Sequence, residues 1–339
     1  MKRAKLNYEK IARKRFEIDM TQKELAEKAD LSVSTIKMIE TGRTDTTYEN
    51  IEKIAKVLDL NISDIYIPNY RDTKVISIVN NKGGVGKTSI CGNIAYAISE
   101  MDYKVLLIDA DMQQNLTQSF NMEDTEDDKH LGNAIRNSDI LIPNNSEMLN
   151  YIKKTNFENI DFIVSDISMS SIEMELSLKI QRETILKGLL KGIIEKGIYD
   201  FILIDTNPVL GMLNYNVLNA SDFVLIPIEL SKFAINGLDV LLSYIESVKI
   251  TNPILKVAGV IINKYDLREK EITTTCEDIV MKVFNDEVNI FNTRMGVDTS
   301  LKKSQLRNCP VLVTEKTSRI SKQFRELSKE VLKVVETKY

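Results

Sequence analysis

The spacing of apolar residues changes once along the chain, near residue 70. Before that point apolar positions recur at helical intervals and predict short helices without a strand over residues 1–67. After it, short apolar runs alternate with amphipathic helices, the pattern of an α/β fold with a mainly parallel, twisted sheet. The predicted strands are Val75–Val79, Val105–Ile108, Ile160–Val164, Phe201–Ile204, Phe223–Ile226, Val257–Ile262 and Val288–Phe291.

The segment between the two patterns is short, polar and contains Pro68, which predicts a linker. We therefore predict a small all-α domain over residues 1–67, a linker over 68–73 and an α/β domain over 74–339. Near the end of the chain, Ser318–Glu336 has the apolar spacing of an amphipathic helix.

Two helices of the first domain carry recognisable start signals. Thr21 and Glu24 predict a capping box for a helix over Gln22–Ala29. Ser32 can cap a second helix, Val33–Glu40. The residues predicted to fill the seam between these helices are Leu25, Ala26, Ile36 and Ile39.

This run of residues resembles the helix-turn-helix of Cro and repressor proteins. The resemblance implies base contacts from the second helix in the major groove and a phosphate contact from Gln22. The implied base-facing residues are Val33, Ser34, Lys37 and Met38. None of them is the Arg, Asn or Gln that reads guanine or adenine best, so a module that serves dimerisation or protein contacts remains an alternative.

A glycine-rich segment, Asn80–Thr88, follows the first predicted strand and precedes a helical pattern. Strand, glycine-rich turn and helix start are the context of a phosphate-binding loop. Backbone N–H groups would face the phosphates, Lys87 would reach the β- and γ-phosphates, and the Thr88 hydroxyl would bind Mg²⁺. The predicted phosphate-binding residues are Gly83, Gly84, Val85, Gly86, Lys87, Thr88 and Ser89.

The form Lys82-Gly83-Gly84-Val85-Gly86-Lys87-Thr88 resembles the deviant Walker A box of the ParA/MinD family of P-loop ATPases. The resemblance spans nearly all of residues 74–335 and implies ATP and Mg²⁺ as ligands. It also implies that Lys82 crosses a homodimer interface to the partner's nucleotide. The residues implied for catalysis are Lys82, Lys87 and Asp111.

Two strand ends carry carboxylates for the same site. Asp109 and Asp111 stand two residues apart, hence on the same side of an extended chain. The resemblance implies that Asp111 orients or deprotonates the attacking water and that Asp109 supports Mg²⁺, with Met112 in place of the family's proline. The apolar run that ends at Asp205 resembles the Walker B strand, whose carboxylate holds a Mg²⁺-bound water. The predicted metal-site residues are Thr88, Asp109 and Asp205.

The segment Asn263-Lys264-Tyr265-Asp266 also matches the short guanine-reading motif of GTPases. The ParA/MinD resemblance implies instead that Asn263 faces adenine. Because that resemblance is long and the GTPase match covers four residues, ATP is the favoured nucleotide.

Composition limits the compartment and the partners. The 339-residue chain is 43% apolar, has no apolar run of membrane-span length and starts without a signal-peptide pattern, so we expect a bacterial cytoplasmic protein. Its net charge of −4 argues against a uniformly basic nucleic-acid binder. The family resemblance still implies sequence-independent DNA binding by a local basic region. The candidates there are Arg294, Lys302, Lys303 and Arg307.

We predict an ATP-dependent DNA partition ATPase of a plasmid or mobile element. ATP would drive dimerisation, the dimer would bind bulk DNA of the nucleoid, and a ParB-like centromere-binding protein would trigger hydrolysis. The helix-turn-helix could bind an operator near its own gene. Two alternatives remain: a transcription regulator switched by ATP, and a MinD-like positioning ATPase anchored to the membrane surface by its C-terminal helix.

Overall fold

The computed structural model describes residues 3–43, 46–122, 128–138, 147–230, 237–266, 270–283 and 288–337. The chain divides into two compact units. The smaller unit comprises Met1–Asp72 with Lys196–Ile198, and the larger comprises Thr73–Glu195 with Tyr199–Tyr339. No helix in the described ranges combines the length and apolarity that crossing a bilayer requires.

The smaller unit is mainly helical, and its predicted start signals are confirmed. The Thr21 hydroxyl accepts from the Glu24 N–H at 3.2 Å, and the Glu24 carboxylate accepts from the Thr21 N–H at 2.8 Å. The Ser32 side chain likewise caps the second of the two helices. The predicted seam residues Leu25, Ala26, Ile36 and Ile39 are all buried. The helices described here are α1 (Tyr8–Glu17), α2 (Gln22–Lys28), α3 (Val33–Glu40), α4 (Tyr48–Leu58) and α5 (Ile62–Ile65).

The prediction that residues 1–67 contain no strand is wrong. Two strands, β1 (Arg3–Leu6) and β2 (Tyr66–Tyr70), pair antiparallel with Leu6 opposite Tyr66. Pro68, which suggested a linker, is tolerated because a two-stranded sheet consists only of edge strands. The pairing joins the two ends of the domain, so no local pattern in either segment could reveal it.

A buried ion pair ties α1 to the end of α3. The Arg15 guanidinium donates from Nε and Nη2 to the two carboxylate oxygens of Glu40, at 2.7 and 2.8 Å. The two side chains are only 6% and 4% exposed. Gln22 Nε2 also donates to Glu40, and Arg15 Nη1 donates to the Met20 carbonyl, each at 2.7 Å. These extra hydrogen bonds offset the cost of removing both charges from water.

The larger unit is built on a seven-stranded sheet, and its mainly parallel α/β fold is confirmed. Its strands are β3 (Lys74–Ile78), β4 (Val105–Ala110), β5 (Lys153–Lys154), β6 (Ile160–Ile163), β7 (Phe201–Thr206), β8 (Phe223–Glu229) and β9 (Lys256–Asn263). They lie in the order β5-β6-β4-β7-β3-β8-β9. All neighbours are parallel except the short edge strand β5, which is antiparallel to β6 and was not predicted.

The last predicted strand, Val288–Phe291, is wrong, whereas the six before it are confirmed. Within this segment Ile290 forms only an isolated bridge with Val260. Phe291 is buried against β9, where a Cβ added to Gly259 would come within 2.6 Å of its ring. The apolar character of the segment therefore reflects burial in the core and not a place in the sheet.

The predicted C-terminal amphipathic helix is confirmed, and its apolar face is buried. Ile320, Phe324 and Leu327 belong to the same core cluster as Ile94 and Ile98 of the helix that follows β3. Because this face packs in the core, it is not available to a lipid surface, which disfavours the MinD-like alternative.

The helices of the larger unit are α6 (Lys87–Ser99), α7 (Asn115–Ser119), α8 (Leu131–Arg136), α9 (Ile172–Ser177), α10 (Ile185–Lys196), α11 (Met212–Asn219), α12 (Leu238–Lys249), α13 (Lys270–Val283), α14 (Thr299–Gln305), α15 (Val311–Thr314) and α16 (Arg319–Val335), with 3₁₀ helices at Glu147–Tyr151 and Ile167–Ser171.

The variant Glu40→Ala should destabilise the smaller unit by about 3–5 kcal/mol, because it leaves the buried Arg15 guanidinium without its counter-charge. Hydrogen exchange of α1 and α3 peptides in the full-length chain, followed over a denaturant series, measures this change. The matched control is Arg13→Ala, which breaks the exposed Arg13–Glu17 pair on the same helix and should cost less than about 1 kcal/mol. Equal losses in the two variants would contradict the prediction.

Candidate nucleotide site

The sheet order brings the carboxyl ends of β3, β4 and β7 together. Strand β7 lies between the other two, and its Asp205 stands opposite both Ile78 of β3 and Asp109 of β4. In parallel α/β sheets ligands bind outside this edge. The loop after β3 and the carboxylates near the ends of β4 and β7 therefore belong to one site.

The loop between β3 and α6 has the form that its glycines predicted. Gly84 and Gly86 adopt the left-handed region, with φ of 75° and 95°. Gly86 is the N-cap residue of α6, and no side chain caps the first turn. Backbone N–H groups at such an uncapped helix start can bind an anion. A Cβ added to Gly83 or Gly84 would meet no heavy atom within 4 Å, so the loop borders open space.

Asn263, at the end of β9, is joined to this loop. Its Nδ2 donates to the Val85 carbonyl at 2.7 Å. A Cβ on Gly86 would lie 2.2 Å from the same nitrogen, so only glycine fits beside it. Asn263 also lines the cleft described below, and its contact with adenine stays a prediction.

Lys87 is the buried cation of the site. Its side chain reaches back over the loop, where Nζ donates to the Lys82 carbonyl at 3.3 Å. Burial lowers the pKa of its ammonium group, and the negative charges of Asp205 and Asp111 oppose that shift. The Lys87 ammonium group thus lies near both the glycine-rich loop and the carboxylates. This is the position expected of a lysine that binds phosphate groups.

Asp205 has the features of a magnesium-site carboxylate. It is completely buried, and its Oδ2 has no hydrogen-bond partner among the described residues. Burial raises the pKa of Asp205 well above its ordinary value and the nearby Asp109 raises it further, while a hydrogen bond from Thr88 opposes both. An unpartnered carboxylate oxygen beside a hydroxyl suits Mg²⁺, which prefers oxygen ligands. Asp205 and Thr88 therefore fit the ion.

Asp109 and Asp111 differ in their surroundings. Both oxygens of Asp109 accept hydrogen bonds from the protein: Oδ1 from the Asp111 N–H at 3.0 Å, and Oδ2 from the N–H and hydroxyl of Thr117 at 2.9 and 2.8 Å. Burial raises the pKa of Asp109, and these hydrogen bonds oppose the shift. Asp111 accepts from the Gln113 N–H and lines the cleft. The predicted metal role of Asp109 stays a prediction.

A cleft of about 820 Å³ opens at this edge of the sheet, within the size range of small-molecule sites. Among the predicted residues, Gly83, Gly84, Gly86, Lys87, Thr88, Ser89, Asp111 and Asn263 line it. Lys82, Val85, Asp109 and Asp205 are not among the lining residues. Lining residues that were not predicted for the nucleotide site include Gln113, Asn115, Pro208, Gly296, Val297, Asp298, Leu301 and Gln305.

The missed wall includes α14, which lies far from the loop in sequence. Its Gln305 Nε2 donates to the Ser89 hydroxyl at 3.1 Å. Lys302, predicted to bind DNA, also lies on α14 and lines the nucleotide cleft. No motif marks this segment, because its role depends only on where the chain places it.

Comparisons with known proteins agree with this geometry. A family model described as an AAA domain matches residues 73–257, and one described as a helix-turn-helix matches residues 10–65. The sporulation initiation inhibitor protein Soj of Bacillus subtilis is 34% identical over 259 residues, which are 76% of this chain and 98% of that protein. The chain belongs to the ParA/MinD family of P-loop ATPases. Both resemblances predicted from the sequence are thereby confirmed.

The chain is also similar to a second partitioning protein and to an enzyme of known structure. The chromosome partitioning protein ParA of Caulobacter vibrioides is 30% identical over 76% of this chain and 94% of that protein. The crystal structure of cobyrinic acid a,c-diamide synthase from Mycobacterium smegmatis with bound ADP and magnesium has a TM-score of 0.64 and 26% identity. That match covers 78% of this chain and 96% of the synthase.

The other basic residues predicted to bind DNA from the ATPase domain differ in availability. Arg294 is half-buried and its Nε donates to Glu277 at 2.6 Å. The Arg307 guanidinium lies 3.8 Å from a Glu315 carboxylate oxygen. Lys303 is exposed on α14. Arg294 is therefore not a freely exposed cation, whereas Lys302, Lys303 and Arg307 are exposed.

The helix-turn-helix residues are arranged as the resemblance implied for α3. Val33, Ser34, Lys37 and Met38 are all exposed, and the two apolar side chains are 45% and 43% accessible. Gln22 differs, because its amide is hydrogen-bonded to Glu40 inside the unit. Its predicted phosphate contact would have to come from the backbone or from a rearranged side chain.

The variant Gly86→Ala should abolish nucleotide binding by the ParA/MinD site, because alanine is strained at a φ of 95° and its Cβ would collide with Asn263. Binding of a fluorescent ATP analogue measures the loss. Gly188→Ala is the matched control: it lies within helix α10, meets no heavy atom within 4 Å and should bind like the wild type. Wild-type affinity in Gly86→Ala would refute the loop geometry.

Proposed function

We propose that this protein is a DNA partition ATPase of a plasmid or mobile element, which dimerises on Mg²⁺·ATP and binds DNA as a dimer. The observation that supports it most is the convergence of the phosphate loop, Asp111 and Asp205 at one sheet edge in a chain that also carries a helix-turn-helix. The relative from Caulobacter vibrioides, a chromosome partitioning protein, supports the partition part of this proposal.

In this proposal, residues of the cleft and the buried Asp205 serve the separate parts of ATP hydrolysis. Lys87 and the N–H groups at the start of α6 bind the phosphates, and Asn263 contacts adenine. Thr88 and Asp205 hold Mg²⁺, which neutralises charge on the β- and γ-phosphates when it is bound. Asp111 lines the cleft and orients the attacking water. The ADP and magnesium in the related synthase support this assignment of ligands.

Lys82 is proposed to link ATP binding to dimerisation. Its backbone serves the loop of its own chain, since its N–H donates to Asn80 Oδ1 at 2.7 Å and its carbonyl accepts from Lys87. The side chain is placed just before the glycines and is not one of the cleft-lining groups. We propose that it reaches the nucleotide of a second copy of the chain.

In the proposed function the protein has two DNA-binding activities, one in the helix-turn-helix and one in the ATP-bound dimer. Helix α3 presents Lys37 and the apolar Val33 and Met38, which can contact thymine methyl groups in an operator. The ATP dimer would hold bulk DNA through phosphate contacts from exposed cations such as Lys303 and Arg307. A ParB-like protein bound at a centromere would then stimulate hydrolysis, and the nucleoid would be the site of action.

A second candidate function, a transcription regulator switched by ATP, is favoured by one observation. Arg294 is half-buried and paired with Glu277, so one cation fewer than predicted is left for bulk DNA. In that case the helix-turn-helix would supply the only DNA contact.

The variant Lys82→Ala should bind ATP but fail to dimerise, because both backbone hydrogen bonds of residue 82 persist without the side chain. The comparison is best made in an Asp111→Ala background, where slow hydrolysis should trap the wild-type dimer. Light scattering in the presence of Mg²⁺·ATP measures the molecular mass and so distinguishes monomer from dimer. Lys191→Ala, an exposed lysine on α10, is the matched control and should dimerise. A normal dimer of the Lys82→Ala variant would contradict the proposed contact of Lys82 with the partner's nucleotide.

Lys37→Ala should reduce the preference for the upstream operator fragment over random duplex. The combined variant Lys303→Ala/Arg307→Ala should instead weaken binding of random duplex, and only with ATP. Each lost phosphate contact should lower the slope of log K against log salt by about 0.9. Gel shifts across a salt series measure both effects, again with Lys191→Ala as the control. If random-duplex binding does not depend on ATP in the unmodified protein, the regulator function is favoured.

A further inference from the structure

We propose that Asp109 is a positioning residue for Asp111 and not a magnesium ligand, and that Thr117 is its partner in this role. This role depends on the ATP hydrolysis of the proposed function, but not on dimerisation or DNA binding.

One carboxylate holds both ends of the segment that carries Asp111. At the start of the segment, Asp109 Oδ1 accepts from the Asp111 N–H at 3.0 Å. At its end, Asp109 Oδ2 accepts from both the N–H and the hydroxyl of Thr117, at 2.9 and 2.8 Å. The segment between them includes the turn into α7, where Gln114 has a φ of 56°. Asp109 therefore fixes the backbone from which the Asp111 side chain projects.

The network extends to the neighbouring strand. The Thr117 hydroxyl, which donates to Asp109, also accepts from the Ser165 N–H at 3.2 Å, just beyond the end of β6. Thr117 is 1% and Asp109 0% exposed, so water does not replace these contacts. The Asp111 segment is thus tied to two adjacent strands, β4 and β6, through one hydroxyl group.

Hydrogen bonds also argue against a metal role for Asp109. A carboxylate can accept about four hydrogen bonds, and three donors from the protein already occupy Asp109. Asp205 presents the contrast, since its Oδ2 is buried and has no partner among the described residues. Of the two carboxylates that face each other across β4 and β7, Asp205 is the one with an oxygen left for a cation.

The substitution Asp109→Asn shows how much the network requires a carboxylate. An asparagine has one acceptor oxygen, and its amide nitrogen only donates. If the asparagine oxygen faces the Asp111 N–H, its amide nitrogen faces the Thr117 N–H. If the amide group is turned over, the amide nitrogen faces the Asp111 N–H instead. In either orientation one buried N–H loses its acceptor, and the segment that carries Asp111 must shift.

The test compares Asp109→Asn, Thr117→Val and Thr117→Ser in the full-length protein. Steady-state ATPase kinetics give kcat and KM, a fluorescent ATP analogue gives affinity, and a magnesium titration gives the concentration for half-maximal activity. Thermal unfolding with and without nucleotide identifies a variant that does not fold. The two Thr117 variants keep the test informative if Asp109→Asn fails to fold, because valine lacks the hydroxyl and serine retains it.

We expect kcat to fall by roughly ten- to a hundredfold in Asp109→Asn and by a smaller factor in Thr117→Val, as for a catalytic group displaced by about an ångström. KM, ATP affinity and the magnesium requirement should stay near the wild-type values, and Thr117→Ser should restore kcat. A raised magnesium requirement in Asp109→Asn, or a wild-type kcat in Thr117→Val, would overturn the proposal. Absence of ATP hydrolysis by the unmodified protein would instead count against the proposed function itself.

Discussion

Burial of three carboxylates around one ammonium group is the constraint on which the larger unit depends. Asp109 and Asp205 are fully buried and face each other across β4 and β7, and the charge of Asp109 adds to burial in raising the pKa of Asp205. Lys87 supplies one compensating charge, and the hydrogen bonds from Thr117 satisfy Asp109. The unpartnered oxygen of Asp205 leaves a negative site for a cation. A Mg²⁺ ion bound at this oxygen would supply positive charge beside the buried carboxylates.

The far end of the chain completes the site through its own hydrogen bonds. Arg319 Nη2 donates to the Val297 carbonyl at 2.7 Å, and Gln323 Nε2 donates to the Arg294 carbonyl at the same distance. Both side chains belong to α16, whose apolar face is buried in the core. Gly296 and Val297 line the cleft that these contacts support. The C-terminal helix thus supports one wall of the cleft, although none of its own residues is among the lining residues.

In the smaller unit, helix α3 is held in place by one face while its opposite face stays exposed. Ile36 and Ile39 anchor α3 in the core, and the Arg15–Glu40 pair holds its last turn. Lys37 and Met38 remain exposed on the opposite side. The same ion pair engages Gln22, so the side chain expected to meet a phosphate has a structural role in this unit.

Much of this protein was determined by local sequence. The capping box at Thr21, six parallel strands and the strand–loop–helix around Lys87 were all predictable, because short-range periodicity and glycine geometry decide them. What required the tertiary structure were relations between distant segments. These include the β1–β2 pair, the burial of Phe291 outside the sheet, the α14 wall of the cleft and the partners of Arg294. An apolar run can form either a strand of the sheet or a segment buried outside it. A charged residue in the sequence does not reveal which residue of opposite charge it pairs with. Only the folded chain decides which role each residue has.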